Sequence, residues 1–194
     1  MIYCIPTDTC YGLACPLSDD RGYGEIYRMK WRDFQKPLAF LIRDISSVYE
    51  YASLTPAQCD FLENYPHPFT LLIEPKVSFR FPKFLGSVQY SKIGLRIAEK
   101  CIPWEMRDEL AYPLFLTSAN RSGEREYVTL NECREVFSYD LEYFDGGLCD
   151  QKPSDIFSFV ATSTQIVYVR RNYGFEKPCP VSPNPLFAKK EKSI

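Results

Sequence analysis

The sequence predicts a mixed α/β (α+β) fold: a single twisted mixed β-sheet with flanking helices. Three observations carry this. Short apolar runs that end at Pro or at polar turns alternate with segments of helical period. Two capping boxes, Thr55-Pro56-Ala57-Gln58 and Thr129-Leu130-Asn131-Glu132, mark helix starts. No second compositional regime appears in 194 residues, so one core is expected.

In chain order, Ile2 to Ile5 is an apolar run stopped by Pro6, which reads as a buried strand delivering Thr7-Asp8-Thr9 into a cleft. Tyr23, Ile26 and Tyr27 share a helical face between Asp19 and Arg28, so Lys30 and Arg32 emerge at or just beyond a helix end. Pro37 to Ile42 reads as a strand, followed by a helical face of Ile45, Val48, Tyr49 and Ala52. The first capping box starts a helix that runs to about Tyr65 and stops at Pro66-His67-Pro68. Phe69 to Glu74 and Ile93 to Ala98 read as strands, the latter carrying Arg96 outward. Pro103 to Leu110 reads as helix, and Pro113 to Thr117 as a strand running into Ser118-Ala119-Asn120. The second capping box opens a helix with Val136 and Phe137 on its apolar face. After the turn Asp145-Gly146-Gly147, Ile156 to Val160 and Gln165 to Arg170 form a closing pair of strands. The domain spans 1–174, and 175–194 is a Pro-rich and Lys-rich tail expected to wrap the surface in extended form.

Composition narrows the function. A net charge of −2 excludes a protein whose whole surface grips nucleic acid, so any anion site is local. The run Lys189-Lys190-Glu191-Lys192 reads first as a solvated terminus and only distantly as an RNA contact. With one His, eight Cys and no Cys-x-x-Cys pair, the zinc vocabulary is nearly absent, and the cysteines are expected reduced and unmetallated in a cytoplasmic protein. Neither a signal peptide nor a membrane-spanning run is legible, so a soluble protein without membrane association is expected.

Chemistry gathers in four islands: Pro6 to Leu13, Lys30-Trp31-Arg32 with Lys36-Pro37-Leu38, Gly94-Leu95-Arg96-Ile97, and Thr117 to Gly123. Lys30 and Arg32 share a face on extended chain, and Lys36 can return from the next turn. Such a set suits a polyphosphate, although a solvated helix end with dipole-complementing cations explains the same residues. Ser118, Asn120 and Gly123 could line a ligand with hydroxyl, amide and bare backbone, or simply form a turn. A hydrolase triad is excluded, since His67 lies in a Pro-His-Pro turn and no Gly-x-Ser-x-Gly elbow is present. Walker and Gly-x-Gly-x-x-Gly loops are absent too, so a bound nucleotide would have its phosphates held by side chains.

Taken in order, these islands resemble the YrdC-type threonylcarbamoyl-AMP synthases, whose marks are a Pro-Thr-Glu/Asp-Thr-x-Tyr-Gly-Leu opening, a Lys-x-Arg set and Thr-Ser-Ala-Asn-x-Ser-Gly. The likeness runs from about Ile2 to Gly174. It implies a YrdC-like fold with a basic concave cleft, and synthesis of threonylcarbamoyl-adenylate from L-threonine, bicarbonate and ATP, with Mg2+ brought by ATP and no dedicated metal site. It implies a place in tRNA threonylcarbamoyladenosine modification beside a separate transferase complex, with weak or no direct tRNA binding.

By the same resemblance Lys30, Arg32, Lys36, Ser118 and Asn120 are the catalytic set. ATP is met by Arg32, Lys36, Ser118, Asn120 and either or both of Arg170 and Arg171. Threonine is met by Thr9, Tyr11, Arg96, Thr117 and Ser154. Asp155 stands where that family has a hydroxyl, which puts a carboxylate close to the expected phosphates. The alternative is a YciO-like relative that binds nucleotide or RNA in the same cleft without synthesis; the Arg32-Asp33 step and Arg43-Asp44-Ile45-Ser46 point that way.

Overall fold

The computed structural model describes residues 1–74, 76, 90–137 and 140–173. Nine strands form one mixed sheet: β1 (Tyr3–Pro6), β2 (Tyr11–Pro16), β3 (Ala39–Ile42), β4 (Phe69–Ile73), β5 (Ile93–Ile97), β6 (Leu114–Ser118), β7 (Glu142–Tyr143), β8 (Asp155–Phe159) and β9 (Ile166–Arg170). Their order across the sheet is β7-β1-β2-β6-β3-β5-β4-β8-β9. Most pairs are antiparallel, while β1 with β7, β3 with β5, and β4 with β8 are parallel.

Strand alternation separates two faces. Leu13, Phe115, Phe40, Leu95, Leu71 and Phe157 point to the face covered by α1 (Asp20–Lys30), α2 (Val48–Tyr51), α3 (Pro56–Asn64) and α6 (Leu130–Val136). Their neighbours Ala14, Leu41, Leu114 and Leu116 point to the other face and pack with Ala98, Cys101, Ile102 and Leu110 around α4 (Ala98–Cys101) and α5 (Trp104–Arg107). That second cover is short, and the rest of its face remains open as a cleft.

Both predicted capping boxes are complete, with Thr55 and Thr129 each accepting from the backbone N–H three residues on. Asp19 caps α1, and Trp31 ends it in the left-handed region at φ 52°. That residue turns the chain sharply, so Lys30 and Arg32 diverge.

The differences from expectation have local causes. Tyr11–Pro16 is a strand set between β1, its hairpin neighbour, and β6, about a hundred residues on, whose half of the ladder local pattern cannot reveal. The two-residue β7 escapes for the same reason. Pro103 to Leu110 is helical only over Trp104–Arg107, and a separate turn of helix, Ala98–Cys101, continues directly from β5. The expected extended tail at 175–194 lies outside the described residues.

Candidate active site

A cleft of about 330 Å³ opens on the second face of the sheet, within the size range of small-ligand sites. Alternate residues of adjacent strands pave its floor: Ala39 of β3, Thr70 and Leu72 of β4, Gly94 and Arg96 of β5, and Leu116 and Ser118 of β6. The turn before β2 brings Thr7, Thr9 and Cys10, and Pro153 and Ser154 come from the approach to β8. Gly94 keeps the floor low, because a Cβ there would lie 2.8 Å from Thr70 Cγ2.

Arg96 is only 7% exposed, so it is not carried outward. Its guanidinium donates to Asp8 at 2.5 Å and to the Phe69 carbonyl at 3.3 Å. Burial pushes the Asp8 carboxyl up, and the Arg96 charge opposes that push. Since arginine keeps its proton, the two form a buried ion pair beneath the cleft. Asp8 itself is tied down by donating its backbone N–H to the Cys101 carbonyl.

At the other end, Arg32 donates from Nε to the Lys36 carbonyl and from Nη2 to the Pro37 carbonyl, both at 3.1 Å, and lines the cleft. Across from it Arg170 donates to Ser154 O at 2.9 Å and Ser154 Oγ at 3.1 Å, and Ser154 Oγ lies 3.1 Å from Thr70 Oγ1. Tyr11 donates its hydroxyl to the Gly147 carbonyl at 3.0 Å, which ties the first motif to the loop before β8.

The three cations of the second island do not converge. Only Arg32 lines the cleft; Lys36 is exposed outside it, and Lys30 is 1% exposed and faces the Ser118–Asn120 turn. Lys30 Nζ donates to the carbonyls of Ser118 and Asn120, the latter at 2.7 Å, and to Asn120 Oδ1 at 2.8 Å. Burial, followed by the neighbouring Arg32 charge, pulls its pKa down to about 7. Asn120 is likewise turned inward: its Oδ1 accepts from Lys30 and Ser118, and its Nδ2 donates to the Glu124 carbonyl at 2.8 Å. Arg171 donates to the Tyr173 carbonyl and is exposed outside the cleft.

Asp155 does not approach the cleft either. Its carboxylate is fully buried, accepting from the Tyr65 hydroxyl at 2.7 Å and from the backbone N–H groups of Asn172 and Tyr173. β-Strand alternation sends Asp155 to the face opposite Ser154 and Ile156. Of the residues expected from sequence, Thr9, Tyr11, Arg32, Arg96, Thr117, Ser118, Ser154 and Arg170 therefore share one cavity, while Lys30, Lys36, Asn120 and Arg171 lie outside its wall.

Sequence reasoning missed Thr70, Lys92 and Glu126 in the lining and Asp8 beneath it. Lys92 was within reach, because it precedes Gly94 and Arg96 at the two-residue spacing of one strand face. Among the described residues no group of three or more His, Cys, Asp or Glu is placed to hold a metal ion, and no helix is long and apolar enough to cross a membrane.

The Sua5/YciO/YrdC family model, described as "Telomere recombination", matches residues 1–171. The chain belongs to this family. Threonylcarbamoyl-AMP synthase of Bos taurus is 31% identical over 146 residues, covering 75% of this chain and 52% of the relative. The putative threonylcarbamoyl-AMP synthase of Methanocaldococcus jannaschii is 30% identical over 153 residues, 77% of this chain and 70% of the relative. The chain spans about half the length of the mammalian relatives it matches. Two solved Sua5/YciO/YrdC structures share its fold: E. coli YciO, with a TM-score of 0.71 and 22% identity over 91% of this chain and 85% of that one, and P. abyssi Sua5 complexed with L-threonine, with a TM-score of 0.66 and 22% identity over 87% and 49%. A mixed sheet with flanking helices, as the sequence led one to expect, is thus the family architecture.

Proposed function

We propose that this chain is a threonylcarbamoyl-AMP synthase, joining L-threonine, bicarbonate and ATP into threonylcarbamoyl-adenylate with release of pyrophosphate. The observation that carries the reading is the lining of the cleft, where Arg32, Lys92 and Arg170, with Glu126 as the one acid beside them among the described residues, accompany Thr9, Thr70, Ser118 and Ser154. Curated relatives bearing that activity's name support it.

On this reading the threonine amine forms a new C–N bond with the carbon of bicarbonate, and water leaves. A carbamate oxygen then attacks the α-phosphorus of ATP and expels pyrophosphate. Arg32 and Arg170 stabilise charge on the polyphosphate, and Arg96, held by Asp8, faces the threonine carboxylate with Thr9, Tyr11, Thr117 and Ser154 nearby. The cleft also replaces a three-body encounter in solution by oriented neighbours. Mg2+ arrives with ATP. The product passes to a separate transferase complex for tRNA modification, and the modest net charge of −2 agrees with weak or no tRNA binding by this chain. Lys30, Asn120, Lys36 and Arg171 take no direct ligand contact in this scheme.

A pyrophosphate-release assay with all three substrates, and threonine omitted as control, tests the proposal. Arg32→Ala is expected to lower turnover by about 10²–10³, the usual effect of losing one preorganised donor. Unchanged turnover would remove Arg32 from the mechanism. Calorimetry should show ATP binding more tightly when L-threonine is present; a relative that only binds nucleotide or RNA would show no such coupling.

A further inference from the structure

Lys30 ends α1, whose buried residues Tyr23, Ile26 and Tyr27 fix the helix against the sheet. An ammonium carries three protons, and Lys30 directs them to three acceptors, the carbonyls of Ser118 and Asn120 and the Oδ1 of Asn120. A ligand phosphate could reach it only by displacing one of these. The backbone repeats the link, because Ser122 donates its N–H to the Lys30 carbonyl at 2.8 Å. Outside the turn, the Arg121 guanidinium lies 4.1 Å from the centre of the Trp31 ring.

These bonds fix which way each group of the turn is polarised. Asn120 cannot exchange its amide ends, since Oδ1 accepts from Lys30 and Nδ2 donates to the Glu124 carbonyl. Ser118 therefore donates its single hydroxyl proton to Asn120 Oδ1, at 2.6 Å, while Ser118 itself lines the cleft. What Ser118 Oγ has left for a ligand is lone pairs.

We propose that Lys30 is a positioning residue that holds Asn120 and thereby makes Ser118 a hydrogen-bond acceptor, so that Ser118 recognises a proton-donating group of the ligand, a hydroxyl or an amine, and neither residue holds a phosphate. This rests on the synthase reading for the identity of the ligands, but not for the clamp.

Calorimetry with inorganic tripolyphosphate, ATP and L-threonine tests it on wild type, Lys30→Met, Lys30→Arg, Ser118→Ala and the Lys30→Met/Ser118→Ala double variant. Lys30→Met and Ser118→Ala are each expected to weaken ATP or L-threonine about tenfold, with less than about a twofold change for tripolyphosphate and little further loss in the double variant. Lys30→Arg should not rescue, because a planar fork cannot gather three acceptors around one nitrogen. Weakened tripolyphosphate binding in Lys30→Met that Lys30→Arg restores would overturn the proposal, as would additive losses in the double variant.

Hydrogen exchange on the unliganded protein reads the clamp itself. In Lys30→Met the peptide spanning 118–122 should exchange faster while that of β4 is unchanged; unchanged exchange at 118–122 overturns the clamp. If wild type binds none of the probes, the synthase reading and the ligand half of this proposal fail together, and the exchange result still decides the clamp.

Discussion

Asp8 illustrates how a residue of the cleft floor, Arg96, depends on a partner that does not line the cleft itself. Both are buried, and the pair is supported by the Phe69 carbonyl on one side and the Cys101 carbonyl on the other. Removing one partner strands the other charge in a low-dielectric site. Asp8→Ala should cost about 3–5 kcal/mol of stability, measured as a lowered urea midpoint. A cost under about 1 kcal/mol, the scale of a surface pair, would show that the buried pair contributes little. The residue types that build the cleft were legible in the motifs, but their partners were not. Lys30, Arg32 and Arg96 read alike as cations in sequence; one is held by three oxygens of a distant turn, one by two nearby carbonyls, and one by a carboxylate across the sheet. Only tertiary packing tells these apart.

Elements with local signals were read where they occur. The box at Thr129 and Glu132 closes within four residues, so no distant partner is needed to see α6 begin. Glu132 accepts from Arg125 and from the backbone N–H groups of Val128 and Thr129, and these contacts lower its pKa from the ordinary 4.5 to about 2. Because the folded value lies below the unfolded one, the stabilisation is present above about pH 4.5 and is lost as pH falls through about 2. The amides of Cys133 and Phe137 should lose exchange protection across that window, and Glu132→Gln should flatten the dependence. An unaltered acid profile in Glu132→Gln would count against it. High salt should shrink the effect, since Arg125 is exposed. β7, by contrast, owes its strand state to β1, far back along the chain, and β2 lies between its hairpin neighbour β1 and the distant β6; no capping residue announces either.

Across the whole molecule, α3, β4, β5 and β8 meet in one apolar cluster with Phe157 fully buried at its centre. Its ring packs against those of Phe61, Tyr65, Phe69 and Tyr168. Phe157→Ala should therefore cost about 3–5 kcal/mol, and a single transition seen by both fluorescence and circular dichroism would show that sheet and helices unfold together. The strand order has a further consequence. β2 and β6 supply one wall of the cleft, while Ser154, just before β8, with Ile156 of β8 and Arg170 of β9 supplies the opposite wall. A chain emerging from the ribosome has thus written its first ligand-facing motif long before the facing wall exists. During synthesis the first wall begins early, and the cleft is completed only when the hairpin of β8 and β9 arrives.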